Sequence, residues 1–174
     1  MSFFKSPVGL IVTIGVLVLI LGTVLFFTTE DTSPGEKPEP LGQQYEEIGK
    51  DHIDVGTPHQ AYNSNPPTSG PHYAQPAVKR FYDEVLPDEQ LIHNLEHGEI
   101  WISYKDTSEA TKDELRAIQA RNSGSVIVTQ RPSNSQNICL ASWIRVLCMD
   151  VLDVDTAANF IKANKNLSPE PIAR

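Results

Sequence analysis

From Val8 to Phe27 the chain reads VGLIVTIGVLVLILGTVLFF, apolar apart from Thr13 and Thr23, and no charged side chain interrupts it. At 1.5 Å per residue a helix of this length crosses roughly 30 Å of hydrocarbon, and in lipid a helix satisfies its own backbone amides. The pattern predicts a transmembrane helix over 8–27. Lys5 precedes the run while Glu30, Asp31 and Glu36 follow it, so the positive-inside bias predicts residues 1–7 in the cytoplasm and all that follows the span outside. A cleaved signal peptide is the alternative. The run is long for one, and Thr28, Thr29 and Glu30 offer no small-residue cleavage site.

Beyond the span the pattern changes twice. Residues 28–41, TTEDTSPGEKPEPL, hold almost nothing to bury and read as a linker. Gly42 to Pro87 shows neither helical nor strand periodicity, but aromatic residues and clustered prolines make it a stiff functional loop rather than disorder. Regular elements follow. DEQLIHNLEH predicts a short helix with Asp88 as its cap and Gly98 as its stop. EIWISY over 99–104 and SVIVTQ over 125–130 predict strands. Between them a helix is expected over 108–122, with Thr111 and Glu114 in capping-box spacing. Asn137 to about Val151 reads as one long strand, and a last helix runs near 155–164. Strands and helices mix without a strict βαβ rhythm. The expectation is therefore an α+β fold: an N-terminal transmembrane helix, then one small extracytoplasmic domain over 42–167 with a mixed or antiparallel sheet and a few helices, then a tail over 168–174.

The chain has 174 residues and a formal charge of −8. That charge, without a basic patch, argues against nucleic acid or anionic lipid surfaces as partners, and leaves the single N-terminal helix as the attachment to the membrane. The cysteines, Cys139 and Cys148, both fall inside ICLASWIRVLCMDV, which lacks Gly, Pro or Asn to reverse the chain. On one continuous strand they would sit about 30 Å apart, so two buried thiols without a mutual bridge are expected.

All five histidines, His52, His59, His72, His93 and His97, lie in the first half of the outer region. Neutral imidazoles are good ligands for copper, zinc or iron when several converge. His93 and His97 are four apart, which puts both on one helical face, roughly opposite the stripe of Leu91, Ile92 and Leu95. His72 follows Gly70 and Pro71 on a loop whose backbone is restricted before folding, and a stiff loop lowers the entropic cost of ligation. His52 is the fourth candidate and His59, after Thr57-Pro58, a weaker one.

The stretch Tyr62-Asn63-Ser64-Asn65-Pro66-Pro67-Thr68-Ser69-Gly70-Pro71-His72-Tyr73, with His93-Asn94-Leu95-Glu96-His97-Gly98, resembles the bacterial DUF3105 family over about Tyr45 to Val154. The resemblance extends to Asp51-His52 upstream and to Ala141-Ser142-Trp143 late in the chain. It implies an extracytoplasmic domain behind a membrane segment, and matches His52, His72, His93 and His97 to family positions. It implies no reaction.

Three functions compete. The first is a metal-binding protein on the outer membrane face, with His72, His93 and His97 as core ligands, His52 as the fourth, Glu96 as a carboxylate behind them, and copper as the favoured ion. Met149 is a possible soft neighbour. The second is a zinc hydrolase, since His-x-x-Glu-His is also the inverted zinc-peptidase motif. Gly98 ends the helix at once and the domain is small for such an enzyme. The third is an interaction module with no metal, so whether the protein is an enzyme stays open.

Overall fold

The computed structural model describes residues 37–174, and Lys37–Arg174 form one compact unit. The transmembrane helix expected over 8–27 lies outside the described residues. Among the described residues no helix is long and apolar enough to cross a membrane. In chain order the elements are β1 (Gln43–Gln44), β2 (His52–Ile53), β3 (His72–Tyr73), β4 (Phe81–Val85), α1 (Asp88–Glu96), β5 (Ile100–Tyr104), α2 (Glu109–Arg121), β6 (Val126–Gln130), β7 (Ile138–Ser142), β8 (Arg145–Met149) and α3 (Val154–Asn164). The domain is a small α+β unit with a mixed sheet and three helices.

Six strands make the sheet in the order β1-β8-β7-β5-β6-β4. The strands β5 and β4 run parallel to β6, while β7, β8 and β1 continue antiparallel. The central strand β5 is buried along its whole length, as expected of a strand covered on both faces. Its alternation sorts the two cores. Ile100, Ile102 and Tyr104 meet Leu115 and Ile118 of α2 and Phe160 and Ile161 of α3, while Trp101 faces the other way toward Leu91, Ile92 and Leu95 of α1. The second face is the one that carries the histidines, because α1 brings them there.

Helix ends follow local chemistry with small differences from the sequence reading. Ser108, not the pair Thr111 and Glu114, caps α2 by accepting the Thr111 amide, and Asp153 caps α3 by accepting that of Thr156. Asp88 does not cap α1. Its carboxylate instead takes two bonds of 2.8 Å from the Arg131 guanidinium.

Two larger corrections concern β structure. The segment 42–87, read as loop, contains β1 to β4; β1 to β3 span two residues each, too short to show a period. The stretch 137–151 is not one strand but the hairpin β7–β8. Its register pairs Ser142 with Arg145, leaving Trp143 and Ile144 as a two-residue turn. Ile144 takes a left-handed φ of 55°, a conformation a β-branched residue rarely adopts, so no turn residue announces the reversal. Two backbone bonds hold it: the Ile144 amide donates to the Thr68 carbonyl at 3.2 Å, and its carbonyl accepts from Tyr45 at 2.8 Å. The fold back places Cys139 opposite Cys148, Cα atoms 4.1 Å apart, and they form a disulfide rather than the expected free thiols. Met149 belongs to this hairpin. It packs against the core of Ile100 and Phe160, and its sulfur accepts from the Asp153 amide.

The chain at either end of the domain is also tied down. Leu41 exchanges two bonds with the Asn164 side chain. After α3 the chain turns through Asn166, φ 62°, which packs on Gly98, and residues 170–174 return across the end of α1. Amides of Glu170, Ile172 and Arg174 donate to the carbonyls of Glu96, His97 and Gly124 at 3.0 to 3.1 Å.

Denatured without reductant, the full chain is expected to offer no thiol to a thiol reagent. Replacing both cysteines by alanine should lower the unfolding free energy in urea by about 2–3 kcal/mol, the loop-closure value for so short a loop. Free thiols in the unreduced chain would contradict the pairing.

Candidate metal centre

Three local devices bring the histidines together. The first is the ribbon of β2 and β3, where parallel pairing sets His52 directly beside His72. The His72 amide donates to the Asp51 carbonyl at 3.0 Å and fixes that register. The second is the proline loop before β3. Gly70 sits at φ +116°, open to glycine alone, and a Cβ there would lie 3.0 Å from the Tyr62 ring. Its amide donates to the Gly49 carbonyl at 2.7 Å, and the Tyr62 hydroxyl donates to the Pro71 carbonyl at 2.6 Å. The third is α1, nearly all of whose circumference is buried, His93, Asn94 and Glu96 included.

Arg131 ties the loop to the helix. Buried at the end of β6, its guanidinium reaches Asp88 at the start of α1 and the Asn65 side chain in the loop, and it lies against the Trp101 face. Asn94 does similar work on the far side, accepting from the Ala77 amide and donating to the Ala77 carbonyl and to Glu99. Glu99 is in turn held by Lys79 at 2.7 Å.

One nitrogen from each of His52, His72 and His93 lies within 4.8 Å of the others, a group that could hold a metal ion. His52 stacks on His93 with ring centres 4.9 Å apart, and His72 stands edge-on to both. The protonation pattern is fixed by carbonyls. Nδ1 of His72 lies 2.8 Å from the Gly70 carbonyl oxygen, and Nδ1 of His93 lies 2.7 Å from that of Tyr73. A carbonyl only accepts, so both Nδ1 atoms carry hydrogen, and in the neutral rings both Nε2 lone pairs point inward.

What those lone pairs meet is unusual. His72 Nε2 faces Glu96 Oε2 at 3.0 Å in a fully buried setting, and two acceptors at that distance need a shared proton or a cation between them. The same Glu96 oxygen is 3.9 Å from His52 Nε2. Glu96 therefore points at the ring nitrogens themselves, not at the back of a histidine as the sequence reading had it. His93 Nε2 faces His97 Nε2 at 3.1 Å, a contact that a hydrogen on the His97 nitrogen turns into an ordinary hydrogen bond.

His97 stands just outside the three-nitrogen group. Its other neighbour is Glu170 Oε2 at 3.7 Å, delivered by the returning C-terminal segment. His59 is not in the group and pairs with Glu89 at 3.2 Å. Neither Lys50, whose ammonium is 3.9 Å from Glu96 Oε1, nor Glu170 was legible as a neighbour of the histidines. Both depend on register and on chain return, which leave no local pattern.

Burial lowers the His93 pKa from its ordinary value, outweighing the raising effect of the Tyr73 carbonyl; the nearby rings of His97, His72 and His52 lower it further. The neutral, ligating form is thus favoured at neutral pH.

Compared with known proteins, the family model described as "Protein of unknown function (DUF3105)" matches residues 52–174. No curated protein and no solved structure matches the chain.

Two outcomes follow from this geometry. Gly70→Ala should cost about 1–2 kcal/mol in urea unfolding, because the left-handed backbone is closed to a Cβ, and should abolish the protected His72 Nδ1 proton signal in NMR spectra. Since folding lowers the His93 pKa, the unfolded chain binds more protons in the window just below the ordinary value of 6.5. Stability of the metal-free chain is therefore full above that value and falls as acid is added through the window. His93→Gln should flatten this part of the unfolding profile, and an unchanged profile would contradict the assignment.

Proposed function

The chain belongs to the DUF3105 family, and on that footing we propose that its folded domain binds one transition-metal ion on the outer face of the cell membrane. The ligands are His52, His72 and His93 with Glu96 as a fourth donor, and His97 adjoins His93. The observation that carries this reading is the pair of Nδ1–H bonds to the Gly70 and Tyr73 carbonyls. Histidines that ligate metals have their other ring nitrogen held in this way, which fixes the tautomer and aims the lone pair. The buried contact between His72 Nε2 and the Glu96 carboxylate supplies the second support, since a bound cation would satisfy both groups.

Copper is the ion we favour, with zinc or iron as alternatives. The donors are imidazole nitrogen and carboxylate oxygen, a borderline set that suits copper(II) and zinc. Met149 contributes nothing to this choice, because it packs in the opposite core. The location rests on the apolar run over 8–27 and the charges around it, now joined by the Cys139–Cys148 disulfide, a bond that persists in oxidising compartments outside the cytoplasm.

The hydrolase alternative is disfavoured by geometry. The α1 helix ends at Glu96, so His97 falls in its C-cap, and the Glu96 carboxylate is directed at His72 and Lys50. A water-activating glutamate needs its carboxylate free toward an open position.

Elemental analysis of the purified full chain after equilibration with copper(II) or zinc(II) is expected to give one ion per chain. His52→Ala, which removes a half-exposed side chain, should weaken binding more than about 10-fold, because even groups that only orient a ligand are worth about 10–100-fold. His93→Ala should weaken it further than His97→Ala, and His59→Ala should leave it unchanged. Stoichiometric binding that survives loss of His52 and His93 together would overturn the proposal, and absence of binding would favour the metal-free interaction module.

A further inference from the structure

The donors around the centre are unevenly buried. His72 and Glu96 side chains are 0 % and 4 % exposed, whereas His52 is 51 % exposed and the neighbouring Lys50 is 50 % exposed. The buried donors stand on α1 and at the end of the proline loop, and His52 is the exposed member of the three-histidine group. Lys50 stands on that rim with its ammonium 3.9 Å from Glu96 Oε1. The oxygen that faces the histidines is the other one, Oε2, so Glu96 can give Oε2 to an ion while Oε1 keeps Lys50 in place.

From this asymmetry we propose that the metal centre keeps an exchangeable position toward solvent which takes a small monovalent anion, and that Lys50 is the positioning cation for it. The inference rests on the metal reading above. Four protein donors leave transition ions such as copper(II) able to accept a further ligand. Lys50, whose ammonium is 3.9 Å from the other oxygen of Glu96, is the cation on hand for an anion that would enter from the His52 side. The chain carries a formal charge of −8, so its general field repels anions, and selection for one here falls to the ion and to this rim lysine. The interaction is ligand exchange: the anion's lone pair replaces a solvent molecule on the metal, and no electron or group is transferred.

The test uses the full chain in mild detergent, loaded with copper(II) and titrated with sodium azide, read by the azide-to-copper charge-transfer band and by electron paramagnetic resonance. Saturable formation of the band is expected, with Lys50→Met weakening azide affinity about 3–10-fold at low salt and Lys50→Arg restoring most of it. Copper content should be equal in all three proteins. If copper binds but azide leaves both signals unchanged, the coordination sphere is closed and the inference is overturned while the metal reading stands. Equal azide affinity in the wild type and Lys50→Met removes the role given to Lys50 and also overturns it. Failure of the wild type to take up copper, zinc or iron overturns the metal reading itself.

Discussion

Two backbone carbonyls, those of Gly70 and Tyr73, determine what the histidines of this protein can do. Each accepts a hydrogen from the Nδ1 of a buried ring, His72 in one case and His93 in the other, and so directs the remaining lone pair inward. Without those bonds a buried imidazole would be free to turn its acceptor to any donor nearby. With them, the buried His72 lone pair is brought against the buried Glu96 carboxylate, two acceptors that need a proton or a cation between them. Much of the surrounding structure serves to keep those carbonyls where they are: the left-handed Gly70, the Tyr62 hydroxyl on Pro71, and the Arg131 link from Asn65 to the start of α1.

The sheet matters to function chiefly as a support. Its central strand sends Trp101 toward α1 and its neighbours toward α2 and α3, so the helix that carries His93 and Glu96, with His97 at its C-cap, is seated through Leu91, Ile92 and Leu95 on Trp101, Ile127 and Ala141. The far side of the same helix is buried as well, under the ribbon and the C-terminal return. A nine-residue helix is marginal alone. Enclosure on both sides holds it rigid enough to present side chains to a fixed point.

Residue type and local spacing made part of this legible. The i, i+4 pair His93 and His97, the Gly-Pro stiffening before His72 and the α+β mixture are all local properties, and they appear where expected. So do the strands at 100–104 and 126–130 and the helices after Ser108 and Asp153. What was missed depends on register or on distant return of the chain. The β7–β8 reversal is made by Trp143 and Ile144, whose side chains favour strands, and is held by Thr68 and Tyr45 from elsewhere in the chain. The Cys139–Cys148 pairing depends on that reversal and so leaves no local sign in the sequence. The pairing of His52 with His72 arises from a two-residue ribbon with no detectable period, and the approach of Glu170 to His97 from a segment read as a tail. Helical spacing gives the face on which Glu96 lies and not the direction of its carboxylate, which turns to His72 Nε2.

X-ray absorption at the metal edge of the copper-loaded full chain measures the central claim directly. The account predicts a first shell of nitrogen and oxygen alone at about 2.0 Å, with outer-shell multiple scattering from three imidazole rings. A sulfur shell near 2.3 Å, or a spectrum without imidazole scattering, would contradict it.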